Sequence, residues 1–527
     1  MCGIFAAIDT KKDKNFLFPY YQKIQHRGPD DSTYQEITSN IHFGFHRLAI
    51  NGLNPESNQP FFIDGVWLIA NAEIFNYKAL AKQYKIELKS GSDCEVLIHL
   101  YKKLGLEKML DVLVGEYAFV LYDTALDKTF ACRDHLGIRG MYIGKDAEGG
   151  TYFASEAKAL NFCTELKQFP PRHIWESTTD SFTEYYKLEF VQHSDQSEQT
   201  HLKKIKALFT KAVEERMLSE RKIGCLLSGG LDSSLVSAIV AKKAIDPKDI
   251  ETFSIGMEGS PDLIAAQKVA DHIGTTHHSI VFTEQQFLDG LKDTIYITGS
   301  FDVTTIRASV GHQLVSNWIK EHSDVKVIFS GETIDEMGSY LYFQQAPSSE
   351  DFQKEGIRLL EDIHFFDMLR GDRSISSAGL EARVPFADRE FVEYFMGIDP
   401  ALRMFDGTEK IEKYLLRKAF EEDNLLPNDV LWRRKNGFSD SVSKKTRSWS
   451  TVIQDYLHTQ VSNKEFEDAK GRYLHDAPLT KEGYWYRKVF EEYYGKFDQA
   501  TPYQWLPKWC GEVTDPSARV LQMYKAD

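Results

Sequence analysis

Two clusters of residues in this 527-residue chain could do chemistry. The first is Cys2. Once Met1 is removed, its thiol sits beside a free α-amine, which has a reference pKa of about 8 against about 10.4 for lysine. An amine that is partly neutral near pH 7 can serve as the base for its own side-chain nucleophile, and Gly3 lets a substrate approach the backbone closely. The second is Ser228-Gly229-Gly230-Leu231-Asp232-Ser233-Ser234, which follows the apolar run Ile223–Leu227. A strand entering a glycine turn and then a helix lets backbone N–H groups converge on an anion at the helix N-terminus. Ser233 and Ser234 add hydroxyl donors. Asp232 is too negative to face phosphate and fits a magnesium role. The pattern lacks the G-x-x-x-x-G-K-[ST] of a Walker loop.

The elements that must position these residues differ between the two halves. Residues 1–190 read as short β runs (Ile41–Phe45, Val66–Ala70, Tyr117–Tyr122, Thr151–Ala154) with a helical stretch at Cys94–Leu104. Gln192–Thr200 has no apolar residue and reads as a linker. Beyond it, helical Leu202–Leu218 and Leu235–Ala241 alternate with apolar runs at Ile223–Leu227, Glu251–Ile255 and Lys326–Phe329, which predicts a parallel α/β sheet. Phe253-Ser254-Ile255-Gly256 and Phe329-Ser330-Gly331-Glu332 punctuate two further strand ends. Open α/β sheets bind ligands outside the carboxyl ends of their strands, so three such turns predict one nucleotide pocket.

The totals bound the remaining classes. A net charge of −15 argues against nucleic acid as a partner, while an anionic substrate would require locally concentrated Lys and Arg. Six scattered cysteines form neither a zinc pattern nor a disulfide framework. No apolar run approaches the roughly 18 residues of a membrane span, and the first residues do not form a secretory leader. A cytoplasmic enzyme-like chain is the expectation.

Several spaced motifs occur in order after Cys2. They are His26-Arg27-Gly28-Pro29-Asp30, His46-Arg47-Leu48-Ala49-Ile50, Asn71-Ala72-Glu73-Ile74-Phe75-Asn76, Ser92-Asp93-Cys94-Glu95 and Arg133-Asp134-His135-Leu136-Gly137. This set resembles the glutaminase domain of the N-terminal-nucleophile amidotransferases. The resemblance implies that Cys2 attacks the glutamine side-chain amide. It also implies that Asn71 and the N–H of Ala72 form the oxyanion hole, that Arg47 binds the α-carboxylate, and that Glu73 and Asp93 hold the α-ammonium.

The glycine turn resembles the pyrophosphate loop (PP-loop) of enzymes that cleave ATP to AMP and pyrophosphate. Asp302–Ser309, Tyr340–Phe343, Glu381–Phe386, Arg433-Arg434-Lys435 with Phe438-Ser439-Asp440, and Asp515–Arg519 are similar to the glutamine-hydrolysing asparagine synthetases of bacterial type. That resemblance covers nearly the whole chain. It implies an αββα glutaminase domain over residues 1–190, a linker over 191–200 and an α/β PP-loop domain with a parallel sheet over 201–527. The implied ATP-binding residues are Leu226, Ser228, Gly229, Gly230, Asp232, Ser233, Ser234, Ile255, Ser330 and Gly331. Asp232 and Asp335 would hold Mg2+, Arg307 and Lys435 would neutralise phosphates with Lys435 catalytic, and Glu332 would position ammonia or accept its proton. The substrates would be ATP, L-aspartate and L-glutamine, with β-aspartyl-AMP as the intermediate and a homodimer as the family expectation. The alternatives are an amidotransferase acting on another carboxylate and a catalytically weak regulatory homologue. Five positions depart from glycines of the family pattern: Ala72, Thr333, Ser339, Ser441 and Ser443. Each loses backbone freedom, which predicts altered geometry at both sites.

Overall fold

Alternation of side chains along β strands organises the amino-terminal half. The strands are β1 (Gly3–Ile8), β2 (Asp31–Glu36), β3 (His42–Arg47), β4 (Phe61–Ile63), β5 (Val66–Ile74), β6 (Gly115–Asp123), β7 (Lys128–Arg133), β8 (Tyr142–Lys145), β9 (Thr151–Ala154), β10 (Glu165–Gln168), β11 (His173–Glu176) and β12 (Ser181–Glu184). In this computed structural model they form two antiparallel six-stranded sheets, ordered β10-β8-β9-β1-β3-β2 and β12-β11-β7-β6-β5-β4. The structure describes residues 1–517 apart from 194, 436, 438–440, 445, 496, 498 and 499. The Phe438-Ser439-Asp440 motif and the Ala518-Arg519 end of the last motif lie outside the described residues.

Residues two apart on a strand share a face. Ile4, Ala6 and Ile8 of β1 join Ile69 of β5 and Val120 of β6 in one core shared by the two sheets, and Cys2 packs against it. Leu68 and Ala70 of β5 take the opposite face and pack with Val96, Leu97 and Leu100 of the helix Glu95–Leu104. The helix Lys14–Gln22 lies over the other side of the first sheet, where Tyr21 meets the Phe5 ring. The layers are therefore helix, sheet, sheet, helix, as the resemblance implies.

The parity of β5 has a direct consequence. Asn71 and Glu73 share the face of Ile69, and Cys2 extends the face of Ile4. Two residues 69 positions apart in sequence thus line the same interlayer space.

The chain divides into two compact units. The first comprises Met1–Lys187 with Leu218–Lys222 and Ile375–Glu381, and the second comprises Leu188–Met217, Ile223–Ser374 and Ala382–Asp527. Two short stretches of the expected second domain therefore belong to the first unit. The expected linker also ends early. Ser197 caps a helix Glu198–Glu215 by accepting from the Thr200 N–H at 3.3 Å, so a polar composition here marks a capped helix start as well as a connection.

The second unit carries β13 (Ile223–Leu226), β14 (Glu251–Gly256), β15 (Thr276–Val281), β16 (Val327–Phe329) and β17 (Glu381–Arg383), ordered β15-β14-β13-β16-β17. The pairs β13–β14, β13–β16 and β14–β15 are parallel. β13, β14 and β16 therefore end at one edge, with Leu226 beside Phe253 and Cys225 beside Phe329. Strands β15 and β17 were not legible in the sequence; Thr276-His277-His278 is polar and β17 is three residues long.

Candidate functional site

In the first unit, Cys2 Sγ accepts from the Leu48 N–H at 3.4 Å and lies 3.6 Å from the Leu48 carbonyl oxygen. Burial pushes the thiol pKa up, and the neighbouring amine opposes that shift. The backbone of Cys2 is fixed by Arg27, whose Nε donates to the Cys2 carbonyl at 3.0 Å. Arg27 is fully buried, and its Nη1 donates to Glu156 and Ser376, each at 2.9 Å. The Met1 amine is buried too. It donates to the Leu380 carbonyl at 3.0 Å, and burial lowers its pKa to about 5.

The side-chain nitrogen of Asn71 is buried and has no hydrogen-bond partner among the described residues. A buried amide donor without an acceptor is costly and suits a group that becomes negative only during reaction. The Ala72 N–H is placed by ladder alternation. Ala72 pairs with Tyr117 of β6, whose carbonyl accepts from the Asp134 N–H at 2.8 Å and whose N–H donates to the Asp134 carboxylate at 3.2 Å. Tyr117 thus turns its main-chain groups away from β5, and Ala72 presents its own to the opposite edge. On that edge Gln59 caps Ala70 at 2.6 Å and Asp93 caps Ile74 at 2.7 Å. The Ala72 N–H between them meets no described partner. Ala72 has no positive φ, so the strain expected from losing glycine is not present.

Arg47 is held at the end of β3 by donating to the carbonyls of Asn54, at 3.0 Å, and Gly52. Glu73 accepts from Asn51 at 2.9 Å. Sequence reasoning assigned no role to Asn51, although it follows the His46–Ile50 motif directly. Gly52 N–H in turn donates to Glu220 at 2.9 Å, and Arg221 Nε donates to the Ala49 carbonyl at 2.9 Å. The stretch Leu218–Lys222 therefore buttresses this loop.

In the second unit, a cavity of about 240 Å³ lies at the strand ends. Leu226, Ser228, Gly230, Asp232, Ser233, Ile255, Ser330, Gly331, Glu332, Asp335 and Lys435 all line it. Ser233 Oγ accepts from the Ser228 N–H at 3.1 Å and folds the loop on itself. Gly229 has φ +72, and a Cβ there would meet Ala265 and the Ala266 nitrogen at 2.5 Å. A Cβ on Gly331 would lie 2.6 Å from the Ser233 nitrogen, so the turn after β16 and the PP-loop touch backbone to backbone. Gly229 and the fully buried Ser234 shape the loop without lining the cavity.

The expected concentration of cations is present. Lys413 bridges Asp232 and Asp335, at 2.8 Å from the Asp335 Oδ1, and Lys435 also pairs with Asp335. These lysines hold the Asp335 carboxyl well below the usual carboxylate range despite burial, and Lys435 is pushed up by Asp335 and Asp232. Lys413 was missed from sequence because it stands 181 residues from Asp232 and carries no motif. Glu332 behaves oppositely. Burial raises its pKa to about 7, although Arg370 Nε donates to its Oε1 at 3.1 Å.

Arg307 is a correction. Its Nε and Nη2 donate to Glu482 at 2.8 and 2.6 Å, and its Nη1 and Nη2 to Asp515 at 2.8 Å. It is 3% exposed and does not line the cavity. Two carboxylates compete for this guanidinium better than a cavity site would, so it acts as a buried tie between three chain segments. Among the departures from glycine, only Thr333 has a positive φ, +95; Ser339, Ser441 and Ser443 do not.

Magnesium fits the carboxylates present. Asp232 Oδ1 is buried and has no hydrogen-bond partner among the described residues. Among the described residues no group of three or more acidic, His or Cys side chains forms a protein cage for a metal. Two carboxylates completed by substrate phosphates and water is the usual magnesium arrangement.

Comparison with known proteins agrees across the chain. A family profile described as a glutamine amidotransferase domain matches residues 1–222, and one described as asparagine synthase matches 204–356 and 338–514. The chain is 39% identical over 562 residues to the asparagine synthetase [glutamine-hydrolyzing] of Gallus gallus, covering 100% of this chain and 99% of that protein. It is 38% identical over 565 residues to the protein of the same name from Homo sapiens, with the same coverage.

Proposed function

Because the chain belongs to the family of glutamine-hydrolysing asparagine synthetases, we propose which of its residues carry each step of its ATP-driven, glutamine-dependent synthesis of asparagine. Removal of Met1 frees the Cys2 amine, which takes the thiol proton. The thiolate attacks the side-chain carbonyl carbon of glutamine. Asn71 Nδ2 and the Ala72 N–H stabilise the oxyanion, while Arg47 binds the α-carboxylate and Glu73 and Asp93 the α-ammonium. Ammonia leaves, and water releases glutamate from the thioester.

In the second unit, the loop Ser228–Ser233 cradles the pyrophosphate, and Leu226, Ile255, Ser330 and Gly331 contact the adenosine part. Asp232 and Asp335 would hold magnesium, which supplies charge neutralisation between the phosphates. The aspartate β-carboxylate attacks the α-phosphorus, and pyrophosphate departs between Lys435 and Lys413. Ammonia then attacks the acyl carbon of β-aspartyl-AMP, Glu332 accepts its proton, and AMP leaves. A cytoplasmic homodimer is the setting we propose; no helix of the described residues is long and apolar enough to cross a membrane.

The observation that carries the synthetase assignment is the meeting of Lys413 and Lys435 with Asp232 and Asp335 beside the Ser-Gly-Gly turn. The test is pyrophosphate release from ATP and magnesium with ammonium, with and without L-aspartate, while asparagine is quantified in the same samples. Aspartate-dependent pyrophosphate matched by asparagine is the expected result. No response to aspartate from folded protein would overturn the assignment.

A further inference from the structure

Six carboxylates line the nucleotide cavity: Asp232, Asp262, Glu332, Asp335, Glu336 and Asp367. Five of them have a cation. Asp232 and Asp335 share Lys413. Glu332 lies 3.0 Å from Arg370, which also pairs with Asp367, and Asp262 lies 2.9 Å from Arg433. Glu336 forms no direct ion pair among the described residues, although the charges of Arg370 and Lys435 act on it.

Glu336 is nevertheless 3% exposed. Its Oε1 accepts from the Tyr340 hydroxyl at 2.6 Å, while its Oε2 is buried and accepts from no N–H or hydroxyl donor among the described residues. Asp367 stands within hydrogen-bonding reach of it, and burial together with the Asp367 and Asp335 charges pushes the Glu336 carboxyl well above the usual carboxylate range. Tyr340 is held in place by ring contacts with Tyr342 at 5.9 Å and Trp505 at 5.3 Å, so it cannot readily turn away. An acidic pair fixed in a cavity keeps a shared proton where a positively charged hydrogen-bond donor could stand.

We propose that Glu336, with Asp367 beside it, is the subsite for the α-ammonium group of the amino-acid acceptor. This rests on the reaction proposed above and adds to it a source of acceptor specificity. Three N–H donors of a primary ammonium match the open oxygens of two carboxylates. A dicarboxylate lacking the amine would leave the pair with no cation to replace its shared proton.

The experiment compares the full chain with Glu336→Gln and Glu336→Asp, using ammonium as nitrogen source and either L-aspartate or succinate as acceptor. In Glu336→Gln, the KM for aspartate is expected to rise on the order of 100-fold, the effect of truncating one partner of a buried charge pair. The KM for ATP and the half-saturating magnesium concentration should change by less than about threefold, within the scatter of indirect effects. The preference for aspartate over succinate should collapse, and Glu336→Asp should recover part of it. Aspartate should raise the Tm of the wild type and not that of Glu336→Gln. An increased magnesium requirement with an unchanged KM for aspartate would assign the pair to a metal ion and overturn the proposal, as would an undiminished preference for aspartate. Should the wild type release no pyrophosphate with aspartate, the proposed reaction fails, and calorimetric titration of aspartate then decides the subsite. Binding lost in Glu336→Gln upholds it; equal binding, or none in the wild type, overturns it. If Glu336→Gln does not fold, Asp367→Asn is titrated in its place under the same criteria.

Discussion

Arg370 Nη2 lies 3.0 Å from Glu332 Oε1, yet the Glu332 carboxyl is raised to about 7. Burial outweighs the guanidinium. Glu332 is therefore protonated below about pH 7 and able to accept a proton only above it. At fixed free ammonia, asparagine formation should rise with pH through about 7 and then level off. Glu332→Gln should lose that limb and fall about 10²–10⁴-fold, the usual contribution of a positioned general base. Folded-state stability has the matching sign. The native carboxyl keeps its proton above the unfolded pKa of about 4.3, so stability contributed by this group declines as pH rises from there to about 7. Urea titrations of wild type and Glu332→Gln across that window check the difference.

Cys2→Ala should abolish glutamine use and leave synthesis from added ammonia intact. Asn71→Ala should lower glutaminase kcat by about 10²–10³, the cost of one oxyanion donor, with little change in the KM for glutamine. Its buried Nδ2 has no ground-state partner to lose. Steady-state glutaminase and ammonia-dependent assays on each variant read both outcomes, and a large rise in KM for Asn71→Ala would count against the oxyanion role.

Arg307 supplies a test of position against sequence expectation. If it ties Glu482 to Asp515, Arg307→Lys loses both bidentate pairs and should destabilise by about 3 kcal/mol, typical of a broken buried ion pair. The KM for ATP of the protein that remains folded should hold steady. Chemical denaturation together with ATP kinetics separates this from a phosphate-binding role, which would shift KM instead.

Thr333 has φ +95, where a β-branched residue is strained. Thr333→Gly should be more stable than Thr333→Ala by about 1 kcal/mol, because only glycine adopts that conformation freely. Pyrophosphate release in Thr333→Gly should equal or exceed that of the wild type. Differential scanning calorimetry on the three proteins decides the order.

Lys413→Met should leave Asp232 and Asp335 facing one another without their shared cation. Aspartate-dependent pyrophosphate release should drop at least about 100-fold, comparable to removing one charge from a fully desolvated pair, while glutaminase activity persists. Retained pyrophosphate release would show that Lys435 alone suffices.

The change from antiparallel strands to a parallel α/β sheet and the glycine turn after β13 are legible because local rules produce them. Alternating β-branched and aromatic residues announce strands, and a glycine turn after an apolar strand announces an anion loop. The expected strand Ile41–Phe45 begins before and stops short of the observed His42–Arg47, and Tyr117–Tyr122 stops short of both ends of Gly115–Asp123, since polar residues at strand ends carry no pattern. The linker was read too long because Glu198–Thr200 are polar in a helix as readily as in a loop.

Sequence by itself determined where groups with reactive chemistry stand: a thiol at position 2, a glycine turn at 228–234 after an apolar strand, and acidic and basic side chains spread along the rest. Tertiary structure decided which charges meet. Arg307 lies within the helix Val303–His322 and Lys413 in the turn before the helix Tyr414–Phe420; neither position tells in sequence which carboxylates it meets, yet folding ties the first to Glu482 and Asp515 and sets the second between Asp232 and Asp335. The same holds for Glu332, whose neighbours in sequence say nothing of the burial that raises its pKa to about 7. The physical reason is one of range: secondary structure follows from residues a few positions apart, whereas desolvation and ion pairing depend on groups brought together from distant parts of the chain.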